Sequence, residues 1–145
     1  MLVSVLRQGD FLIAAIHSAL DDGEMTRFQN DVLRKISEAR SRGIIIDVGA
    51  VDVLDSFGTR TIRNLAHMAR LRGAVTIIVG IRPDVAFAIV QLGMDIDVHT
   101  ALDLEEGLLA LETLTSGSRD GGSTLGFLRD DIRPNDETTK RRNGN

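Results

Sequence analysis

The 145-residue chain contains no cysteine, no tryptophan and no tyrosine. Without cysteine there can be no disulfide, thiolate metal site or cysteine nucleophile. The five phenylalanines are then the only aromatic rings, which offers little of the stacking surface on which single-stranded nucleic acids are read. No apolar stretch approaches the ~20 residues that cross a bilayer. The first residues, Met1 to Arg7, alternate in polarity instead of opening on a basic start and a long apolar run, so no secretory leader is expected and a cytoplasmic location is the default. The three histidines, His17, His67 and His99, are scattered without metal-ligand spacing. Neither a Gly-x-x-x-x-Gly-Lys phosphate loop nor a Gly-x-Gly-x-x-Gly dinucleotide loop occurs. No metal, cofactor or catalytic constellation is therefore expected.

What is present fits one globular domain of ordinary size, with 43% hydrophobic and 26% charged residues. The net charge of −4 is unevenly spread: residues 1–114 carry 11 Lys and Arg against 16 Asp and Glu, whereas residues 115–145 carry 6 against 5. An acidic domain disfavours nucleic-acid binding.

The order of elements is legible from periodicity. Leu2–Leu6 and Asp10–Ile16 read as two short strands joined through Gln8-Gly9, a hairpin. Cap-type residues at Asp21-Asp22-Gly23 precede Met25, Phe28, Val32, Ile36 and Ala39 at helical spacing, with Gly43 expected to end that helix. Ile44-Ile45-Ile46-Asp47-Val48 is a continuous β-branched run of the kind found in a strand buried on both faces. A second helix is expected from about Ser56 to Leu71, with Gly58, Ile62, Leu65, Ala66 and Ala69 inward. A second buried strand follows at Ala74–Gly80, and Pro83-Asp84 opens a third helix with Val85, Ile89 and Leu92 inward. A short strand at Ile96–His99 and a helix from Asp103 to Leu114, with Leu104, Leu108 and Leu111 on one stripe, complete the domain. Strands separated by helices imply an α/β fold with a mostly parallel mixed sheet, an N-terminal antiparallel hairpin and about four flanking helices. Residues 115–145 read as a flexible polar tail, in which Leu125–Ile132 is the one apolar cluster.

The chemistry concentrates between Asp47 and Arg60, after the end of a buried strand, where open α/β sheets place their functional loops. Ser56 has two readings. It can cap the second helix, its hydroxyl accepting a backbone N–H at a value of about 1 kcal/mol. It can instead accept a phosphate, whose added negative charge the helix start would favour and Asp52 and Asp55 would oppose. Arg60, Arg63, His67 and Arg70 follow at three- and four-residue steps and share a face, so a basic stripe begins beside the serine. That stripe is either a solvated face or a docking surface for an acidic partner.

Val51-Asp52-Val53-Leu54-Asp55-Ser56-Phe57-Gly58, in this order of elements, resembles the STAS domains of anti-sigma-factor antagonists. Gly80–Ala86, Leu92-Gly93-Met94 and Thr100–Leu108 further resemble the stressosome branch, in particular its small single-domain RsbS type. The resemblance covers residues 1 to about 114. It implies the STAS fold and a non-enzymatic scaffold that forms homo- and hetero-oligomers with RsbR-type proteins. Such a scaffold sequesters an RsbT-type switch kinase, releases it on phosphorylation of Ser56, and is reset by an RsbX-type phosphatase. The implied partner-binding residues are Asp52, Asp55, Phe57, Gly58, Thr59, Arg60 and Arg63. Two features depart from the RsbS type: the 31-residue tail, and Gly58-Thr59, which looks more like the broader antagonist pattern. An anti-sigma-factor antagonist acting by partner switching is thus the alternative.

Two other classes fit less well. A phosphoaspartate receiver built on Asp47 would need an early acidic pair and a late lysine, but the only lysines are Lys35 and Lys140. A small-ligand module is compatible with the fold but has no phosphate-cradling loop.

Overall fold

The computed structural model describes residues 2–91 and 98–119. Its elements are β1 (Val3–Gln8), β2 (Phe11–Ile16), α1 (Asp22–Ala39), β3 (Gly43–Asp47), α2 (Ser56–Leu71), β4 (Val75–Val79), α3 (Pro83–Gln91), β5 (His99–Ala101) and α4 (Leu104–Arg119). Five strands form one sheet in the order β1-β2-β3-β4-β5. The β1–β2 pair is antiparallel and the other three pairs are parallel. Met1–Glu112 form one compact unit and a second begins at Thr113.

Period-two alternation divides the strand side chains between two cores. On one face Leu12, Ala14, Ile44, Ile46 and Ile78 pack with Phe28, Val32 and Ile36 of α1 and Ile62, Leu65 and Ala69 of α2. On the other, Phe11, Ile13, Ile45, Ile77 and Val79 meet Leu111 of α4. A strand flanked on both sides must be apolar at every position, which is why Ile44, Ile45 and Ile46 are all fully buried. Gly107 lets α4 approach closely: a Cβ there would stand 2.7 Å from Val79 Cγ1.

Several boundaries differ from the sequence expectations. The hairpin turns at Gly9 and Asp10, with Gly9 at φ 62°. The first helix stops at Ala39, where Arg40 takes the left-handed conformation at φ 51° and returns its N–H to Ile36 O. Gly43 does not end the helix; it begins β3, where a Cβ would lie 2.8 Å from Leu111 Cδ2 and 3.1 Å from Phe11 Cδ1. The fifth strand is His99–Ala101, which shares only His99 with the expected Ile96–His99. Leu104 is 37% exposed, because Leu111 and Gly107 bring α4 onto the sheet instead. The last helix continues through Thr115 and Ser116 to Arg119, past Leu114 where the apolar stripe ends. The inward role expected of Leu92, the strand start at Ile96 and the Leu125–Ile132 cluster all lie outside the described residues.

Candidate functional site

The β3–α2 loop is fixed at both ends before it reaches the serine. Val48 N–H donates to Val79 O of the neighbouring strand at 3.0 Å, and Val51 N–H closes a turn onto Val48 O at 2.9 Å. Asp47 Oδ1 accepts from Gly49 N–H at 2.9 Å. Gly80, at φ 79°, lies against Gly49: a Cβ on it would sit 3.1 Å from Gly49 Cα, so the loops after β3 and β4 touch through bare backbone. Buried Val51 and half-buried Leu54 then pin the segment to the main core.

Asp55, not Ser56, caps α2. Its carboxylate accepts from Gly58 N–H at 2.8 Å, while its backbone oxygen takes Thr59 N–H and Thr59 Oγ1, both at 2.9 Å. An extended Asp at this position satisfies one of the free N–H groups of the first turn, that of Gly58, and complements the helix dipole. Ser56 is therefore the first helical residue. It is half-buried, and its hydroxyl has no hydrogen-bond partner among the described residues. The other hydroxyls on this part of α2 are occupied and covered: Thr59 is 0% exposed, and Thr61, 6% exposed, donates to Phe57 O at 2.8 Å.

The remaining residues singled out from sequence sort by depth. Asp52, Asp55 and Arg60 are exposed, and Phe57 and Arg63 are half-buried. Gly58 and Thr59 are buried. Thr59 presents nothing to a partner and acts from beneath, by holding the Asp55 carbonyl. Gly58 likewise shapes the site from below: a Cβ would stand 2.8 Å from Leu54 Cδ1 and 3.3 Å from Asp55 Oδ1, so glycine lets the capping carboxylate and Leu54 close over the first turn. Arg60, Arg63, His67 and Arg70 lie along the outward side of α2, none fully buried. None has an ion pair among the described residues, so the stripe's charge is available to an incoming surface.

Sequence reasoning missed a small cavity of about 60 Å³ beside this turn, lined by Leu20, Met25, Val51, Val53, Leu54 and Gly58 among others. Val53, 64% exposed, stands at its edge. It forms where two loops meet in space, the one before α1 and the one before α2, and no periodicity encodes that meeting. Among the described residues no cluster of His, Asp and Glu could hold a metal ion, and no helix is long and apolar enough to cross a membrane.

Comparison with known proteins places this geometry. The STAS domain family model matches residues 3–107. The fold superposes on RsbS of Moorella thermoacetica with a TM-score of 0.69 at 32% identity, over 79% of this chain and 97% of that one. It superposes on a chain of the stressosome architecture with a TM-score of 0.64 at 29% identity, over 77% and 98%. The RsbT co-antagonist protein RsbRA of Bacillus subtilis (strain 168) is 32% identical over 90 residues, 61% of this chain; the chain spans 33% of that relative's length. The anti-sigma factor antagonist SpoIIAA, at 14% identity and a TM-score of 0.57, shares the fold. The mixed sheet with its leading hairpin, the capped second helix and the match over nearly the whole of β1 to α4 assign the chain to the STAS domain family, with stressosome proteins among its relatives.

Proposed function

We propose that this protein is a non-catalytic STAS scaffold and antagonist of a stress-signalling switch. It captures an RsbT-type serine/threonine kinase on the surface around Ser56 and releases it when that kinase phosphorylates Ser56. The observation that carries the reading is the free hydroxyl. Asp55 has taken over the cap, Thr59 and Thr61 are buried and hydrogen-bonded, and Ser56 alone on this turn is accessible and uncommitted. A serine needed for folding could not be modified without cost; this one can.

The charges around it account for release. A phosphate adds nearly two negative charges and three acceptor oxygens at the first position of α2. The free N–H groups and dipole of the helix start favour it, and Arg60, four residues on, is on the same face and within reach of an ion pair. Asp52 and Asp55 oppose it. The opposing terms leave the fold little changed, while Arg60 is neutralised and a new negative charge stands at the head of the basic stripe. An acidic kinase surface docked on Arg60 and Arg63 then loses an attraction and meets a repulsion.

The similarity to RsbS and to the matched third of RsbRA supports a cytoplasmic assembly with RsbR-type proteins, with an RsbX-type phosphatase restoring the serine. The alternative kept open by Gly58-Thr59 is an anti-sigma-factor antagonist, which would use the same serine on an anti-sigma kinase. Capture of purified kinases by wild-type, Ser56→Ala and Ser56→Asp proteins tests the proposal. Wild type and Ser56→Ala should retain an RsbT-type kinase and Ser56→Asp should lose it. Equal capture by all three would refute release by charge, and capture of an anti-sigma kinase alone would select the alternative.

A further inference from the structure

α1 ends without a basic residue in its last turn, so nothing within that turn complements the negative end of the helix dipole. Arg72, the C-cap residue of α2, supplies the charge from outside. Its Nη1 donates to Leu33 O at 3.4 Å and to Ser37 Oγ, which ties the last turn of α1 to the end of α2. Ser37 is nonetheless exposed. The turn that carries it is terminal: α1 stops at Ala39, and Arg40 leaves the helix at φ 51°. A helix end opens at little cost, so an enzyme reaches this hydroxyl by fraying one turn and leaving the rest of the domain folded.

The residues ahead of Ser37 set it apart from the other hydroxyls of the chain. Arg34 and Lys35 stand three and two positions before it, and no other serine or threonine has a basic residue three positions before it. Ser56, by contrast, follows Val53-Leu54-Asp55. An enzyme with an acidic substrate groove accepts the first pattern and rejects the second. In the folded helix Arg34 also lies one turn from Ser37 on the same face. It is paired with Asp31 at 3.0 Å across an exposed surface, a contact weak enough to be exchanged for a stronger anion.

We propose that Ser37 is a second phosphorylation site, modified by an arginine-directed serine kinase of a different class from the one acting at Ser56. In the transfer, Ser37 Oγ forms a bond to the γ-phosphorus of ATP as the bond to the β–γ bridging oxygen breaks. ADP leaves, and the hydroxyl proton passes to the kinase's catalytic carboxylate. The product is a phosphoserine whose guanidinium partner is already in place. Arg72 exchanges a neutral hydroxyl for a phosphate that accepts charge-assisted, paired N–H bonds, and Arg34 closes from one turn away. The α1 dipole and the adjacent Glu38 oppose the new charge. They act across solvent, whereas Arg72 acts by direct contact, so the contact prevails. Phosphorylation thus tightens the seam between α1 and α2 at the end of α2 opposite Ser56. The 16 residues of α2 separate the two sites by about 24 Å, roughly three Debye lengths in physiological salt. Each phosphate is therefore added and read independently of the other.

The test incubates the full chain with Mg²⁺, ATP and the catalytic subunit of cyclic-AMP-dependent protein kinase as an arginine-directed probe, followed by intact-mass and phosphosite mapping. One phosphate should appear on Ser37, be absent from Ser37→Ala and persist in Ser56→Ala. Arg34→Gln with Lys35→Gln should slow its addition several-fold, whereas Arg72→Gln should not. Urea unfolding then compares phosphorylated and unmodified protein. The phosphate should raise the midpoint in wild type, and should raise it less or lower it in Arg72→Gln, with Arg72→Lys between the two. Each comparison is made within one variant, so any stability lost with Arg72 itself cancels. A kinase that modifies a peptide of residues 31–42 but leaves Ser37 untouched on the folded chain would overturn the proposal, as would undiminished phosphorylation of the Arg34→Gln, Lys35→Gln variant. An equal midpoint shift in wild type and Arg72→Gln would overturn the clamp by Arg72.

Discussion

Replacing Asp55 and Ser56 one at a time separates the residue that holds the helix from the residue that carries the switch. Asp55→Ala removes the acceptor for Gly58 N–H, a part-buried bond of 2.8 Å. Loss of an N-cap costs about 1 kcal/mol, within a range of roughly 0.5–2. For a domain of this size that corresponds to a fall of about 4 °C in Tm. Asp55→Asn keeps an acceptor oxygen and gives up only the charge at the helix start, about 0.3–1 kcal/mol. Ser56→Ala removes a hydroxyl with no partner among the described residues, so its effect should stay within about 0.5 kcal/mol. Thermal and urea unfolding of the three variants, followed by circular dichroism, measure these differences. The expected order of stability is Ser56→Ala nearest wild type, Asp55→Asn below it and Asp55→Ala lowest. If Ser56→Ala fell as far as Asp55→Ala, the serine would be the cap, and the argument that its hydroxyl is free for phosphate would fail.

Other outcomes follow from the same structure. Gly43→Ala drives a Cβ between Leu111 and Phe11 at 2.8 and 3.1 Å and should lower stability by about 1–3 kcal/mol by chemical denaturation; a neutral result would mean that α4 can lift from β3 freely. Arg60→Glu with Arg63→Glu should slow association with an acidic kinase surface, and stopped-flow measurements should show the wild-type rate falling with ionic strength and the variant's much less; salt-independent wild-type association would remove the steering role. In protein phosphorylated at Ser56, Arg60→Ala should cost about 0.3–0.5 kcal/mol more than in unphosphorylated protein, measured as a double-mutant cycle, and the absence of that coupling would show that Arg60 does not hold the phosphate.

The architecture was readable because two periodicities carry it. Ile44-Ile45-Ile46 and Val75–Val79 announce strands covered on both faces, and the inward residues expected for α2 are all buried. Endings were less legible. Arg40 terminates α1 from a left-handed conformation that nothing local requires of an arginine, and the glycine expected to do so, Gly43, is fixed by Leu111, distant in sequence. The end of α4 was missed because Thr115-Ser116-Gly117 has linker composition but helical backbone. At the site, sequence singled out the turn from Asp52 to Arg60 but could not rank its carboxylate and hydroxyl as caps: Asp and Ser are equally good caps in isolation, and only the backbone path shows that Asp55 reaches Gly58 first. Nor could spacing show that Thr59 is buried, since a threonine on a basic stripe and one beneath it look alike.

The central claim is that Ser56 is the accessible switch on an otherwise pre-set surface. Its most direct test is intact-mass and phosphosite analysis after incubation with an RsbT-type kinase, ATP and Mg²⁺, with kinase retention measured on the same samples. The account predicts one added phosphate, on Ser56, absent in Ser56→Ala, together with loss of bound kinase in proportion to phosphorylation. A folded protein that an active kinase leaves unmodified at Ser56, or one that keeps its kinase when fully phosphorylated there, would contradict it.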